Sequence, residues 1–309
     1  MSKNIVLYIF IVLFSFVTVS CAETGNKGIE ITDTNSNANL GTHKLFFWRV
    51  RSKVSTVYIL GSIFAGSKKM FPLDEMIEMA FDASDTLVVE IDPEKIDKEK
   101  IKNYIEYPTD DALRNHISQS LYYRLVNMFS SFGVPEMKFN KMKPAAAVTT
   151  LVMLKLASMG YDPEFAIDKY YLDDAREKKN ILQLETPEKQ LVLMNNLGED
   201  YIEYVLQDMS RWNKEIKILI NAWKTGNTKM VDNFFQRCAN YPGGEEFVEK
   251  FIYKRSEDMA KKIQNYLKSE GRYFVIVGAE HLVGEFGIIN LLKETGKYQV
   301  VQLSDFNNE

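Results

Sequence analysis

Two stretches, Val57-Tyr58-Ile59-Leu60-Gly61-Ser62-Ile63-Phe64 and Tyr273-Phe274-Val275-Ile276-Val277-Gly278-Ala279-Glu280-His281, decide how this chain folds. Each is a continuous run of β-branched, aromatic and aliphatic residues that stops on a glycine. A strand buried on both faces of a parallel sheet reads this way, because neither face meets water and the polar alternation is lost. A glycine at the carboxyl end lets the backbone turn sharply, and α/β folds place their ligands at that end. Both runs are therefore expected to end at a site, marked by Gly61 and Gly278. The third residue after the glycine differs between them. His281 is an imidazole that can bind a metal or move a proton, whereas Phe64 can do neither.

Working outward, Leu45 to Val50 and Ser55 to Leu60 read as two strands at hairpin spacing, joined through Arg51-Ser52-Lys53. Pro72 suits the first turn of a helix running to Ser84, with Met76, Ile77, Ala80 and Phe81 on one face, and Thr86 to Ile91 is the next strand. This succession predicts a parallel pair with a crossover. From Asp97 to Tyr170 the spacing is helical, with breaks at Gly133, Pro135, Pro144 and Gly160. Asn180 to Leu184 is a short strand, Pro187 to about Gly271 returns to helices, and the end repeats strand, helix, strand. The expected fold class is α/β: a central mixed sheet built from the strand-rich N- and C-terminal segments, covered by a helical middle.

At 309 residues, 46% hydrophobic and 26% charged, the chain has the composition of a globular body with a sizeable core. Its formal net charge of -4 comes without a basic stripe, so no nucleic-acid partner is expected. The start differs in character: Lys3 precedes an almost unbroken apolar run from Ile5 to Val19, then Ser20 and Cys21. This is too short and too terminal for a settled membrane span, and it has the charged start and apolar middle of a secretory signal. Residues 1–20 are therefore expected to be a signal peptide and the protein to be exported. Cys21 after a small residue resembles a bacterial lipobox, although Thr18 stands where leucine is usual. Lipidation there makes the membrane a partner through Cys21 and the cell envelope the location. Simple cleavage just after Cys21 and an uncleaved anchor are the alternatives. Ala22 carries no inner-membrane retention signal of the aspartate kind, which points to the outer membrane or the surface rather than the inner membrane. Residues 21–43, rich in Asn, Thr, Gly and Ser, read as a flexible tether, leaving 44–309 as the folded domain. Cys238 reads as a buried small hydrophobe.

Few groups can carry chemistry. His281, one of three histidines, ends a buried strand next to Glu280, while His43 and His116 read as solvated. Glu90 ends the run Leu87-Val88-Val89, and Asp92 lies two residues on, on the same side of an extended chain. The pair either shares a crevice or is a solvated strand end with Asp92 as a helix cap before Pro93. Oxygen ligands with one imidazole suit a divalent cation such as Mn²⁺ or Co²⁺ better than a thiolate-seeking Zn²⁺. Arg255 falls within the apolar stripe of Phe247, Phe251, Met259 and Ile263, so it either snorkels to the rim or is held by a buried carboxylate. Asp168 and Glu185, each beside apolar neighbours, are weaker site residues. No Ser-His-Asp order, phosphate-cradling glycine loop or Cys-x-x-Cys is present.

These residues lie in blocks that resemble the TraB/GumN family, which includes the TIKI-type membrane metalloproteases. The blocks are Trp48-Arg49-Val50, Val57 to Ile63, Phe71-Pro72-Leu73, Ser84 to Asp92, Lys143-Pro144, Gly160 to Glu164 through Ile167-Asp168, Leu184-Glu185-Thr186 with Gln190, Arg255 with Met259, and Val277 to Gly284. The resemblance implies a two-halved α/β core in which two Gly-x-x-His turns and a glutamate face one cleft, with metal-dependent peptidase activity in the TIKI branch. Carried over, the second turn supplies His281 and the first strand-end acid is Glu90. Three positions depart from the pattern: Phe64 where a histidine is implied, Ala166 where glycine is preferred, and Ser256 where asparagine is preferred. Losing one imidazole leaves a three-ligand site with two, unless Asp92 or Glu280 moves in. Two functions follow as expectations. One is a weakened or altered metal hydrolase, with Glu90 and His281 holding the ion or activating water and Arg255 steadying a developing charge. The other is an inactive envelope module that binds a peptide or an envelope protein.

Overall fold

The computed structural model describes residues 44–304, apart from 64–65, 208, 210–211 and 241. The signal peptide, Cys21, the tether, His43 and Phe64 lie outside the described residues. One mixed sheet of six strands organises the body, in the order β4-β3-β5-β2-β1-β6. The strands are β1 (Lys44–Arg51), β2 (Ser55–Ser62), β3 (Thr86–Val89), β4 (Asn180–Gln183), β5 (Gly271–Gly278) and β6 (Gln299–Ser304). β2, β3, β4 and β5 are mutually parallel, and β1 is antiparallel to both β2 and β6.

The expected hairpin forms, with Val50 opposite Val57. The expected parallel neighbours do not, because β5 inserts between β2 and β3 and pairs with both. The two ends of the chain therefore interleave. The physical reason lies in their composition: β5 is the most continuously apolar run, and a central position buries both of its faces.

Aromatic packing ties helices to both faces. Phe274 of β5 meets Phe47, Phe81 of α1 (Glu75–Asp82) and Tyr171 on one face. Its neighbour Tyr273 stacks on Tyr266 on the other. The helix expected from Pro72 starts later, because Asp74 caps it by accepting from the Met76 N–H.

The helical middle comprises α2 (Lys98–Ile105), α3 (Gln119–Ser131), α4 (Pro144–Ser158), α5 (Ile167–Ala175), α6 (Pro187–Asn195), α7 (Glu199–Gln207), α8 (Trp212–Lys224) and α9 (Thr228–Gln236). The expected breaks at Gly133 and Gly160 fall where glycine adopts a left-handed conformation at a helix end. Next come α10 (Gly244–Val248), a π-helical turn (Glu249–Tyr253), α11 (Lys254–Tyr266) and α12 (Ile288–Glu294). The predicted stripe is real: Phe247, Phe251, Met259 and Ile263 are all buried. Cys238 is buried. Among the described residues no helix is long and apolar enough to cross a membrane.

Candidate functional site at the carboxyl edge of the sheet

Strand register lines up the site. Ser62 is level with Gly278, and Val89 is level with both Ile276 and Gln183, so the ends of four parallel strands share one edge. The alignment runs one step further, where the Glu185 N–H donates to the Glu90 carbonyl at 2.9 Å. Ser62, Gly278, Glu90 and Glu185 therefore stand in a row across the sheet.

The two glycines are required by close approach. A Cβ on Gly61 would lie 2.4 Å from the Phe46 ring, and one on Gly278 would lie 2.5 Å from Glu280 Oε1. Glu280 thus folds its carboxylate back over the Gly278 backbone, which only a glycine permits.

Arg255 is the hub of the site. Its Nη2 donates to Glu90 Oε2 and to Glu185 Oε2, each at 2.6 Å, and its Nε donates to Glu185 Oε2 at 2.8 Å. The second expectation for Arg255 is therefore the one realised: it is 1% exposed and held by carboxylates rather than snorkelling. Glu90 Oε1 accepts from the Gly278 N–H at 2.6 Å. Gln190 donates to Glu185 Oε2 at 3.0 Å. Burial raises both carboxyl pKa values, but Arg255 and Gln190 outweigh it at Glu185, which stays below the ordinary range. Glu90 ends above that range because burial, with the Glu185 charge, outweighs Arg255 and the Gly278 N–H.

Glu90, expected as a metal or catalytic carboxylate, stands at the edge with both its oxygens engaged, by Arg255 and the Gly278 N–H. Asp92 does not join it in a crevice. Its two oxygens take the Arg176 guanidinium at 2.6 and 2.8 Å and cap the Glu94 N–H, so Asp92 is the expected cap but is buried rather than solvated. The arginine partner of Asp92 gave no sequence signal, being 84 residues away.

Asp168, near the start of α5, accepts from the Ser62 hydroxyl. Burial, followed by the Glu90 charge, pushes its carboxyl up to about 7. Ser62 ends β2, where the sequence does not distinguish it from a turn residue. His116 lies outside the edge, stacked on Tyr107 and 2.7 Å from Asp111.

His281 is fully buried. Its Nδ1 lies 2.9 Å from Ser256 Oγ, and its Nε2 has no hydrogen-bond partner among the described residues. Glu280 Oε1 is 3.8 Å from that Nε2. Burial and the Arg255 charge hold the imidazole well below its ordinary pKa, so it is neutral. Among the described residues no group of three or more His, Cys, Asp and Glu side chains could hold a metal ion.

The chain is similar in sequence to known proteins. A family model described as the TraB/PrgY/gumN family matches residues 46–301. The chain is 23% identical to "Uncharacterized protein YbaP" of Escherichia coli (strain K12), over 76% of this chain and 87% of that protein. It is 22% identical to "Metalloprotease TIKI homolog" of Amphimedon queenslandica, over 86% of this chain and 63% of that protein. No solved structure matches the chain.

Proposed function

Since this chain belongs to the TraB/PrgY/gumN family, we propose that it is an exported envelope protein, anchored by a lipid on Cys21, whose edge site is a divalent-metal hydrolase site of the peptidase kind in altered form. The observation that carries this reading is His281 Nε2, a buried ring nitrogen that has no hydrogen-bond partner among the described residues and lies 3.8 Å from Glu280 Oε1. An unmet buried acceptor costs ~1–3 kcal/mol, which favours a site that receives a group from outside. The sponge relative, named a metalloprotease, supports the hydrolase class.

The donor set fits a cation at two points, His281 Nε2 and Glu280 Oε1, and one nitrogen with one oxygen suits Mn²⁺ or Co²⁺ better than Zn²⁺. A bound cation supplies Lewis acidity toward a carbonyl oxygen and lowers the pKa of a bound water. The chain's own residues do the rest. Arg255, pinned by Glu90 and Glu185, holds a fixed positive charge at the edge. Asp168, with its pKa near 7, is poised to hand a proton to a leaving group or take one from water. Ser62 orients that carboxyl.

A second reading, an inactive module that binds a peptide or an envelope protein on the same fold, is favoured by Glu90, whose oxygens are already engaged. Calorimetry of the full-length protein and of His281→Ala with Mn²⁺, Co²⁺ and Zn²⁺, beside a peptide-hydrolysis screen, separates the two. Near-stoichiometric binding lost in His281→Ala is expected. Identical behaviour of parent and variant sinks the hydrolase reading and leaves the binding module.

A further inference from the structure

The imidazole of His281 is held by a neighbour that determines which of its nitrogens carries the proton. Ser256 has one hydroxyl hydrogen, and its Oγ lies 2.7 Å from the Ile252 carbonyl oxygen, which can only accept. That hydrogen is therefore used on Ile252. Ser256 Oγ must then meet His281 Nδ1, 2.9 Å away, with a lone pair, and Nδ1 must be the N–H. The Ile252 carbonyl faces the same imidazole as a second acceptor. Ile252, Ser256 and His281 are all buried.

Backbone geometry sets up this arrangement. The π-helical turn at Glu249–Tyr253 leads directly into α11, and Arg255 and Ser256 in the first turn of that helix are both buried against the site. π-Turns of this kind occur often at functional sites, where the extra residue re-aims the side chains that follow. Back-bonding of a serine to the carbonyl four residues earlier normally weakens a helix slightly. Here it orients the hydroxyl.

We propose that Ser256 is a positioning residue that locks His281 in the Nδ1–H tautomer, so that Nε2 is the reacting nitrogen and accepts only an electron-pair acceptor, a proton donor or a cation. The other tautomer would set the Nδ1 lone pair against the lone pair of Ser256 Oγ, whose hydrogen is already used on the Ile252 carbonyl. The inference rests on the reading above only in taking His281 as the reacting group. It is read without turnover, so an absence of hydrolysis leaves it standing and its own failure is visible in an active or an inactive protein.

The test is imidazole nitrogen NMR on full-length protein labelled with ¹⁵N-histidine, which has three imidazoles. The His281 signals are assigned by their loss in His281→Gln. The parent is expected to show a protonated Nδ1 and an unprotonated Nε2. Ser256→Ala is expected to shift the tautomer ratio about fivefold toward Nε2–H, which corresponds to one hydrogen bond of ~1 kcal/mol. Ser256→Thr, which keeps the hydroxyl, is expected to restore the parent pattern. A parent with Nε2 protonated overturns the proposal. So does a Ser256→Ala spectrum like the parent's, or a Ser256→Thr spectrum like that of Ser256→Ala.

Discussion

Asp168 is the side chain whose environment departs furthest from what its neighbours in sequence suggest. In sequence Asp168 reads as a carboxylate beside apolar neighbours, and at the start of α5 the helix N-terminus should keep it ionised. Instead burial, followed by the charge of Glu90, lifts it to about 7. The linkage follows from the proton count. Between an unfolded value of 3.8 and a folded value of about 7, the folded state holds a proton that the unfolded chain has lost. Stability from this group therefore falls as pH rises through that window and is level above it. His281 acts in the opposite sense, because its folded pKa lies well below 6.5 and stability from it is lost as pH falls below that value. The two are separated by comparing the parent with Asp168→Asn in urea at a series of pH values. Asparagine cannot ionise, so the variant is expected to gain on the parent steadily from about pH 4 to about pH 7 and then hold its lead. A constant difference across that range would count against the raised carboxyl. Glu185 and Asp92 make the same point from the other side. Glu185 reads as a weaker site residue and Asp92 as a crevice or capping acid, and they are held by arginines 70 and 84 residues away, respectively.

At the scale of elements, the stripe of Phe247, Phe251, Arg255, Met259 and Ile263 is legible because helical periodicity is local. The π turn within it is not, since the pattern tolerates one extra residue without losing its apolar face. That turn has a measurable consequence. Lys250 is exposed on it, and the Lys254 N–H reaches back to the Glu249 carbonyl across it. Deleting Lys250 is expected to remove the extra residue, convert the turn to α-helix and re-aim the side chains that follow, Arg255 among them. Arg255 then cannot serve Glu90, Glu185 and the helix packing together. Leaving buried charges without partners costs roughly 3–5 kcal/mol, and a loss of that size in urea denaturation is expected. A deletion that leaves stability within about 1 kcal/mol would show that the π turn has no part in aiming Arg255. The strands behave differently. β2 and β5 are evident from composition because both faces are buried, whereas β4, with only intermediate burial, was legible mainly from its flanks.

For the whole molecule, the interleaving of the two ends brings a site together from residues 62 to 281. Ser62, Glu90, Asp168, Glu185, Arg255 and His281 reach one edge only because β5 lies between β2 and β3. The proposed anchor belongs to this scale as well. Cys21→Ala is expected to move the protein from the membrane fraction to the soluble fraction and to abolish incorporation of a labelled fatty acid. Retention of both in the variant would remove the lipid from the reading. Much was set by the sequence alone: the strands buried on both faces, the glycine turns, the helical stripe with its arginine, and the presence of His281. These follow from hydrophobic pattern and backbone sterics, which act over a few residues. The tertiary structure decided which strands are neighbours, that Glu90 and Glu185 share one guanidinium, that Asp92 turns away to Arg176, and which nitrogen of His281 is left open. Those outcomes depend on charges and hydrogen-bond donors brought together across scores of residues, and burial of a charge is tolerated only where the fold supplies its partner.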